Sequence, residues 1–141
     1  MPGPADASGG GGYSGTPLPR KLGIGQGHRV LLVAAPPGFD LGPLPGVEVH
    51  RRAGRAAYDV ALLFVTSRRE LERRLDPLRA RLTPPGALWV VWPKRSSGVP
   101  SDLTEDVLRE VVLPTGMVDT KVCAVDATWS ALRFVVRLRH R

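Results

Sequence analysis

Cysteine is almost absent from this 141-residue chain, and three of its 20 basic residues are lysines. With Cys123 as the single cysteine, no disulfide can form within the chain and no cysteine-rich zinc site is available. The other potential metal ligands are three scattered histidines and ordinary carboxylates. We therefore expect no bound metal.

Long apolar runs are also lacking. No stretch approaches the roughly 20 apolar residues that a membrane-spanning helix requires, and residues 1–12 have neither the basic nor the apolar region of a secretion signal. These absences predict a cytoplasmic protein without a membrane partner.

The remaining composition is that of a globular protein, with 43% hydrophobic and 23% charged residues. The glycine- and proline-containing residues 1–12 cannot bury enough apolar surface to become ordered, so we expect a flexible tail there. Residues 13–141 are predicted to form a single α/β domain. The formal net charge of +7 bears on solubility and on partners more than on fold.

Three nearly continuous apolar runs predict strands that are buried on both faces, at residues 28–35, 59–66 and 87–92. A shorter strand is expected at residues 47–50. Because strands buried on both faces are typical of parallel sheets, these four segments predict a parallel arrangement.

Leucines recur at the spacing of one helix face between Ser67 and Leu82, which predicts an amphipathic helix. Ser67 and Glu70 have the S-x-x-E spacing of a capping box at its start. Pro77 is expected either to kink this helix or to start a new one. A turn is predicted at residues 84–86, which read PPG.

Asp102 and Glu105 have the spacing of a second capping box, ahead of a helix expected to end near Pro114. Two strand-like segments at residues 118–125 and 131–138 follow, and their short connection predicts an antiparallel hairpin. The predicted fold is therefore a three-layer α/β domain, with a mostly parallel, Rossmann-like sheet of six strands and a C-terminal antiparallel hairpin.

From Asp59 onward, the order of strand, helix, PPG, strand ending in WPK, helix and hairpin resembles the C-terminal half of Rossmann-like methyltransferases that use S-adenosylmethionine. In that family a glycine-rich turn and a helix follow the first strand. Here the sequence AAPPGF occupies residues 34–39, and its prolines lack N–H donors. No cofactor is therefore expected.

A second resemblance covers nearly all of the folded part. It is found in the segments YSGTPLPRKLGI, RVLLVAAPPGF, FVTSRRELERRL, GALWVVWPKRSSGVPSDLTEDVLREV and DTKVCAVDATWSALRFVVR. Together these are similar to a family of small bacterial proteins, common in actinobacteria, that is classed as a domain of unknown function. The resemblance implies no particular activity.

A candidate site follows from the predicted sheet, because ligands of open parallel sheets bind beyond the carboxyl ends of the strands. Pro37 follows the first strand, and Ser67 stands at a helix start that favours an anion. Lys94 would add a positive charge, in a small loop with Ser96 and Ser97. We expect an anionic ligand there; in the simpler alternative, Ser67 only caps its helix and Lys94 is solvated.

No converging nucleophile, acid and base are visible, so no catalytic residue is assigned. We predict a non-enzymatic binding or regulatory domain whose partner is an anionic small ligand or a protein. Two alternatives remain open: a transferase with an atypical cofactor turn, and a basic nucleic-acid-binding protein. The second would use arginines clustered in the predicted helix and at the chain end, namely Arg68, Arg69, Arg73, Arg74, Arg79, Arg81, Arg137, Arg139 and Arg141.

Overall fold

The structure, a computed structural model, describes residues 16–138; the predicted tail at residues 1–12 lies outside the described residues. The elements in chain order are α1 (Leu18–Lys21), β1 (Arg29–Val33), β2 (Glu48–His50), β3 (Tyr58–Phe64), α2 (Arg68–Arg79), β4 (Leu82–Pro93), α3 (Glu105–Val112), β5 (Met117–Ala124) and β6 (Trp129–Val136). Short 3-10 turns at Arg95–Ser97 and Leu113–Thr115 flank α3.

The six strands form one sheet in the order β2-β1-β3-β4-β6-β5. Strands β2, β1, β3 and β4 are mutually parallel, whereas β6 runs antiparallel to both β4 and β5. The predicted fold class is confirmed: a mostly parallel α/β sheet that closes with an antiparallel hairpin.

The helix α2 begins where the sequence predicts it. The Ser67 Oγ accepts a hydrogen bond from the backbone N–H of Glu70 at 3.1 Å, so the predicted cap is confirmed. Pro77 lies within the helix without ending it, since the helix continues to Arg79. The prediction for Leu82 is wrong: Leu82 starts β4 and is not part of the helix.

The predicted turn at residues 84–86 is also wrong, because these residues lie within β4. Tyr58 pairs with Leu82, but Val60 pairs with Ala87, so the intervening residues of β4 bulge out of register. A Cβ on Gly86 would lie 2.9 Å from the Tyr58 carbonyl oxygen. The bulge therefore depends on glycine at this position.

The start of α3 differs from the predicted capping box. Its N-cap is Thr104, whose side chain accepts a hydrogen bond from the backbone N–H of Val107 at 3.2 Å. Asp102 does not cap α3; its carboxylate accepts from the backbone N–H of Arg68 at 2.8 Å. The predicted acid therefore caps α2, which precedes it in the chain.

Two hydrophobic clusters lie on opposite faces of the sheet. The helices α2 and α3 cover one face through side chains that include Leu71 and Leu108. On the other face, α1 and the segment 35–47 form the third layer, with Leu22 and Leu41 among its buried side chains. The buried Trp89 Nε1 donates to the Leu22 carbonyl oxygen at 2.9 Å and so links this layer to β4. Among residues 16–138, no helix is long and apolar enough to cross a membrane.

Candidate functional site

The sheet order places the carboxyl ends of β1, β3 and β4 side by side along one edge. Pro37, Ser67 and Lys94 follow these three strands, in that order. Neighbouring strands lie about 4.8 Å apart, so the three predicted ligand-binding positions belong to one short edge of the sheet, where ligands of such folds bind.

The start of α2 is less open to a ligand anion than the sequence suggests. Ser67 Oγ is bonded to the Glu70 N–H, and the Asp102 carboxylate is bonded to the Arg68 N–H. A ligand anion at this helix terminus would therefore meet a carboxylate that already occupies it. Ser67 serves the helix as a cap, and a role for it in ligand binding stays a prediction.

A cavity of about 610 Å³ opens at the carboxyl end of β4. We call it the Lys94 cavity; it is lined by residues 92–95 and 98–105, which run from the last residues of β4 to the first residue of α3. The apolar part of its wall includes the buried side chains of Trp92 and Leu103 and the exposed side chain of Val99. The loop after β4, where the sequence predicted a site, therefore lines a recess that is large enough for a small ligand.

The charges that line the Lys94 cavity are not equally available. Lys94 and Arg95 have no acidic partner among the described residues. The two acids are engaged elsewhere: Asp102 at the start of α2, and Glu105 with Arg109 Nη2 at 2.9 Å. The cations of the cavity therefore lack acidic partners, whereas both of its carboxylates already accept hydrogen bonds.

Arg109 lies in a small ionic network beside this cavity. Its guanidinium contacts Asp119 at 3.1 Å and Asp106 at 3.3 Å in addition to Glu105. The hydrogen bonds that Arg109 donates, first to Asp119 and then to Glu105, raise its pKa. The Glu105 carboxylate is therefore bound to a guanidinium of the same helix, α3.

The two predicted serines shape the loop without lining the cavity. Ser97 Oγ donates to the Lys94 carbonyl oxygen at 2.6 Å and accepts from the Val99 N–H at 3.1 Å. Gly98 has a φ of 78°, which favours glycine at this reversal. Ser96 is exposed. Ligand contacts by Ser96 and Ser97 stay predictions.

The turn after β1 differs from the glycine-rich turn that the resemblance to S-adenosylmethionine-dependent methyltransferases implies. Ala34 has a φ of 59°, a conformation that favours glycine, and Pro36 and Pro37 lack N–H donors. No helix follows β1 in the described segment 34–47. Where dinucleotide-binding folds have an acid for the ribose, after β2, this chain has Arg51 and Arg52. The residues at this end of the sheet do not fit a cationic sulfonium cofactor.

Neither the cysteine nor the potential metal ligands form a site in the described part of the chain. Cys123 lies half-buried in β5, and burial raises the pKa of its thiol, which lowers its reactivity. Residues 16–138 contain no group of three or more His, Cys, Asp or Glu residues that could hold a metal ion.

The arginines of the predicted cluster have different partners. Arg68 pairs with Glu72 at 3.1 Å and with Glu110 at 2.8 Å, contacts that raise its pKa. In contrast, Arg69 and Arg73 are exposed and have no acidic partner within the described part of the chain. Arg139 and Arg141 lie outside the described residues.

The sequence analysis missed two features of this edge. Arg95 lines the Lys94 cavity, and it directly follows Lys94 in the chain. Arg51 and Arg52 follow β2. Their place directly after the predicted strand at residues 47–50 could have assigned them to this edge of the sheet.

Similar solved structures include methyltransferases. They include a SAM-dependent methyltransferase from Aquifex aeolicus, with a TM-score of 0.56, 15% identity and coverage of 83% of this chain and 87% of that chain. An rRNA methylase from Streptococcus thermophilus has a TM-score of 0.53 and 10% identity, over 89% and 99% of the two chains. TrmN from Thermus thermophilus has a TM-score of 0.54 and 14% identity, with coverage of 85% of this chain and 47% of that chain.

No protein-family model and no curated protein matches the chain, so the resemblance to the actinobacterial family stays a prediction. The similarity to solved structures concerns the fold, because the identities are low. This chain therefore has a Rossmann-like core of the type found in SAM-dependent methyltransferases.

Proposed function

We propose that this chain is a non-enzymatic binding module that holds a small anionic ligand in the Lys94 cavity. One observation supports the proposal most: the cations that line the cavity are unpaired within the described residues, whereas its acids are paired. An anionic ligand would give Lys94 or Arg95 an acidic partner, and a charge-assisted hydrogen bond of this kind is stronger than a neutral one.

The shape of the cavity narrows the class of ligand. Its volume of about 610 Å³ is in the range of small-molecule sites. Trp92, Val99 and Leu103 supply apolar contact beside the two cations. The ligand that suits this wall has a carboxylate or phosphate at one end and an apolar portion at the other.

The hydroxyl groups in the wall favour binding over catalysis. Ser101 Oγ accepts from the Leu103 N–H at 3.1 Å, and the Thr104 side chain caps α3. Each hydroxyl therefore has a structural task, and neither is paired with a general base. A nucleophile activated for group transfer would need such a base within hydrogen-bond distance.

A second candidate function is that of a transferase with an atypical cofactor turn. The observation in its favour is the similarity of the core to methyltransferase structures. Against it stand the prolines after β1 and the arginines after β2, described above. Calorimetric titration of the full chain with S-adenosylmethionine separates the candidates, because micromolar binding would favour the transferase.

The binding proposal is tested with phenyl phosphate, which combines an anion with an apolar ring, and with benzyl alcohol as its neutral counterpart. We expect the full chain to bind phenyl phosphate more tightly than benzyl alcohol. The Lys94→Gln variant should bind phenyl phosphate about ten- to a hundredfold more weakly.

Two matched variants complete the test. Arg20→Gln removes one exposed positive charge far from the cavity in sequence, and it should bind like the parent. Ser67→Ala should lose about 1 kcal/mol of stability as a cap, and an added loss of affinity in this variant would support the predicted ligand contact of Ser67. Equal binding by the parent and Lys94→Gln would contradict the proposal.

A further inference from the structure

A second recess lies at the carboxyl end of β1, and its walls are built from arginines. Its volume is about 450 Å³. Two arginine pairs, Arg51–Arg52 and Arg73–Arg74, line it together with Val33 and Ala34 at the end of β1. We call this recess the arginine cleft.

The two pairs come from different parts of the chain. Arg51 and Arg52 directly follow β2, which pairs with β1, whereas Arg73 and Arg74 lie in α2. Pro77 and Leu78 of α2 extend the apolar part of the lining. The fold thus brings four arginine residues to one recess whose other lining residues are apolar.

The positive charge of the arginine cleft is only partly neutralised. Arg74 Nε lies 3.3 Å from Glu70 Oε2, and Arg51 donates to the Phe39 carbonyl oxygen at 2.9 Å. Arg52 and Arg73 are exposed, and their side chains have no partner among the described residues. No carboxylate is among the residues that line the cleft, so Arg51, Arg52 and Arg73 keep their positive charges without an acidic partner in the described part of the chain.

The loop that bears Arg51 and Arg52 is held by a buried tyrosine. The Tyr58 hydroxyl oxygen accepts from the Gly54 N–H at 3.0 Å and lies 2.7 Å from His50 Nδ1. Arg81 adds a hydrogen bond to the Gly54 carbonyl oxygen. A loop fixed in this way loses less freedom when a ligand binds.

We infer that the arginine cleft binds the diphosphate group of a small ligand. Two pairs of arginines from different elements suit two linked phosphates, because each planar guanidinium can hold two phosphate oxygens. The position of the cleft also agrees with this inference. In the sheet, β2 lies on one side of β1 and β3 lies on its other side, and ligands of such folds bind where the strand order switches direction in this way. In related folds, an arginine near the end of the second strand accommodates a phosphate.

The lining favours a small ligand over a nucleic acid. Proteins that bind single strands stack bases on aromatic side chains, and no aromatic side chain lines the arginine cleft. The apolar residues there are short or aliphatic, and the recess is limited to about 450 Å³. The inference is independent of the Lys94 cavity, which lies at the end of a different strand.

The test is calorimetric titration of the full chain with inorganic pyrophosphate and with inorganic phosphate, at matched ionic strength. We expect pyrophosphate to bind at least about tenfold more tightly, because it engages both arginine pairs. The double variant Arg52→Gln/Arg73→Gln should lose at least about tenfold in pyrophosphate affinity.

The control double variant Arg20→Gln/Arg137→Gln removes the same charge from exposed positions that do not line the cleft. It should bind pyrophosphate like the parent, and thermal unfolding should show that both double variants fold. If both double variants lost pyrophosphate affinity equally, the loss would be explained by net charge alone, and the inference would be overturned. The inference would also be overturned if the chain bound a 20-nucleotide single strand but did not bind pyrophosphate. The double variant Arg52→Gln/Arg73→Gln should keep its affinity for phenyl phosphate, because neither arginine lines the Lys94 cavity; this separates failure of the arginine cleft from failure of the Lys94 cavity.

Discussion

The carboxylate of Asp102 accepts a hydrogen bond at 2.8 Å from the backbone N–H of Arg68, 34 positions earlier in the chain. Asp102 lines the Lys94 cavity, and Arg68 is the first residue of α2. One side chain thus satisfies a free helix donor and holds the cavity loop against α2.

Replacing Asp102 with alanine should therefore weaken the fold as well as the loop. The loss of a charged cap at the start of α2 is expected to lower the free energy of unfolding by about 1 kcal/mol. Urea denaturation monitored by circular dichroism measures this difference. Asp106→Ala is the matched control, since the Asp106 side chain is 91% exposed and should cost less than about 0.5 kcal/mol. Equal costs in the two variants would show that the Asp102 contact is unimportant.

Ala34 is the one described residue other than glycine with a positive φ, 59°. An L-residue in the left-handed region pays a steric cost that glycine avoids. We therefore expect Ala34→Gly to raise the free energy of unfolding by up to about 1 kcal/mol, measured by thermal or urea denaturation. Ala35→Gly, at the next position, should lower it. A loss of stability in Ala34→Gly would mean that the conformation at this turn is not strained.

Acid should weaken a contact at the edge of the sheet. Hydrogen bonds from His50 and then Arg29 hold the pKa of Glu48 below its ordinary value of 4.5. Because the folded-state pKa is the lower one, the resulting stability is present above 4.5 and is lost as the pH falls through the folded-state value. Glu48→Gln should thus be less stable than the parent near neutral pH.

The difference between the parent and Glu48→Gln should shrink as the pH is lowered, and urea denaturation at a series of pH values measures it. Asp76→Asn serves as the control, because the Asp76 side chain is exposed. It should not reproduce this convergence. A Glu48→Gln difference that is constant with pH would show that Glu48 gains nothing from its partners.

The fold was largely predictable because its signals are local. Apolar runs marked β1, β3 and β4, and the Ser67 cap marked the start of α2. The prediction for residues 84–86 was wrong because the sequence PPG normally ends a helix or strand, whereas here it lies in a bulge of β4 near Tyr58. The bulge depends on pairing with another strand, which local patterns do not show.

The site was less predictable because its determinants are far apart in the chain. Lys94 was found from its position after a strand, but the pairing of Asp102 with Arg68 depends on how the loop packs on α2. The arginine cleft joins residues after β2 to residues of α2. No sequence spacing indicates that these two groups meet.

A chemical-shift map of the full chain titrated with phenyl phosphate tests the central claim most directly. The proposal predicts that the backbone amides of Lys94, Arg95, Val99 and Leu103, which line the Lys94 cavity, show the largest saturable changes. In Lys94→Gln these changes should require about ten- to a hundredfold more ligand. Saturable changes confined to other parts of the chain, or the same titration curve in the parent and the variant, would contradict it.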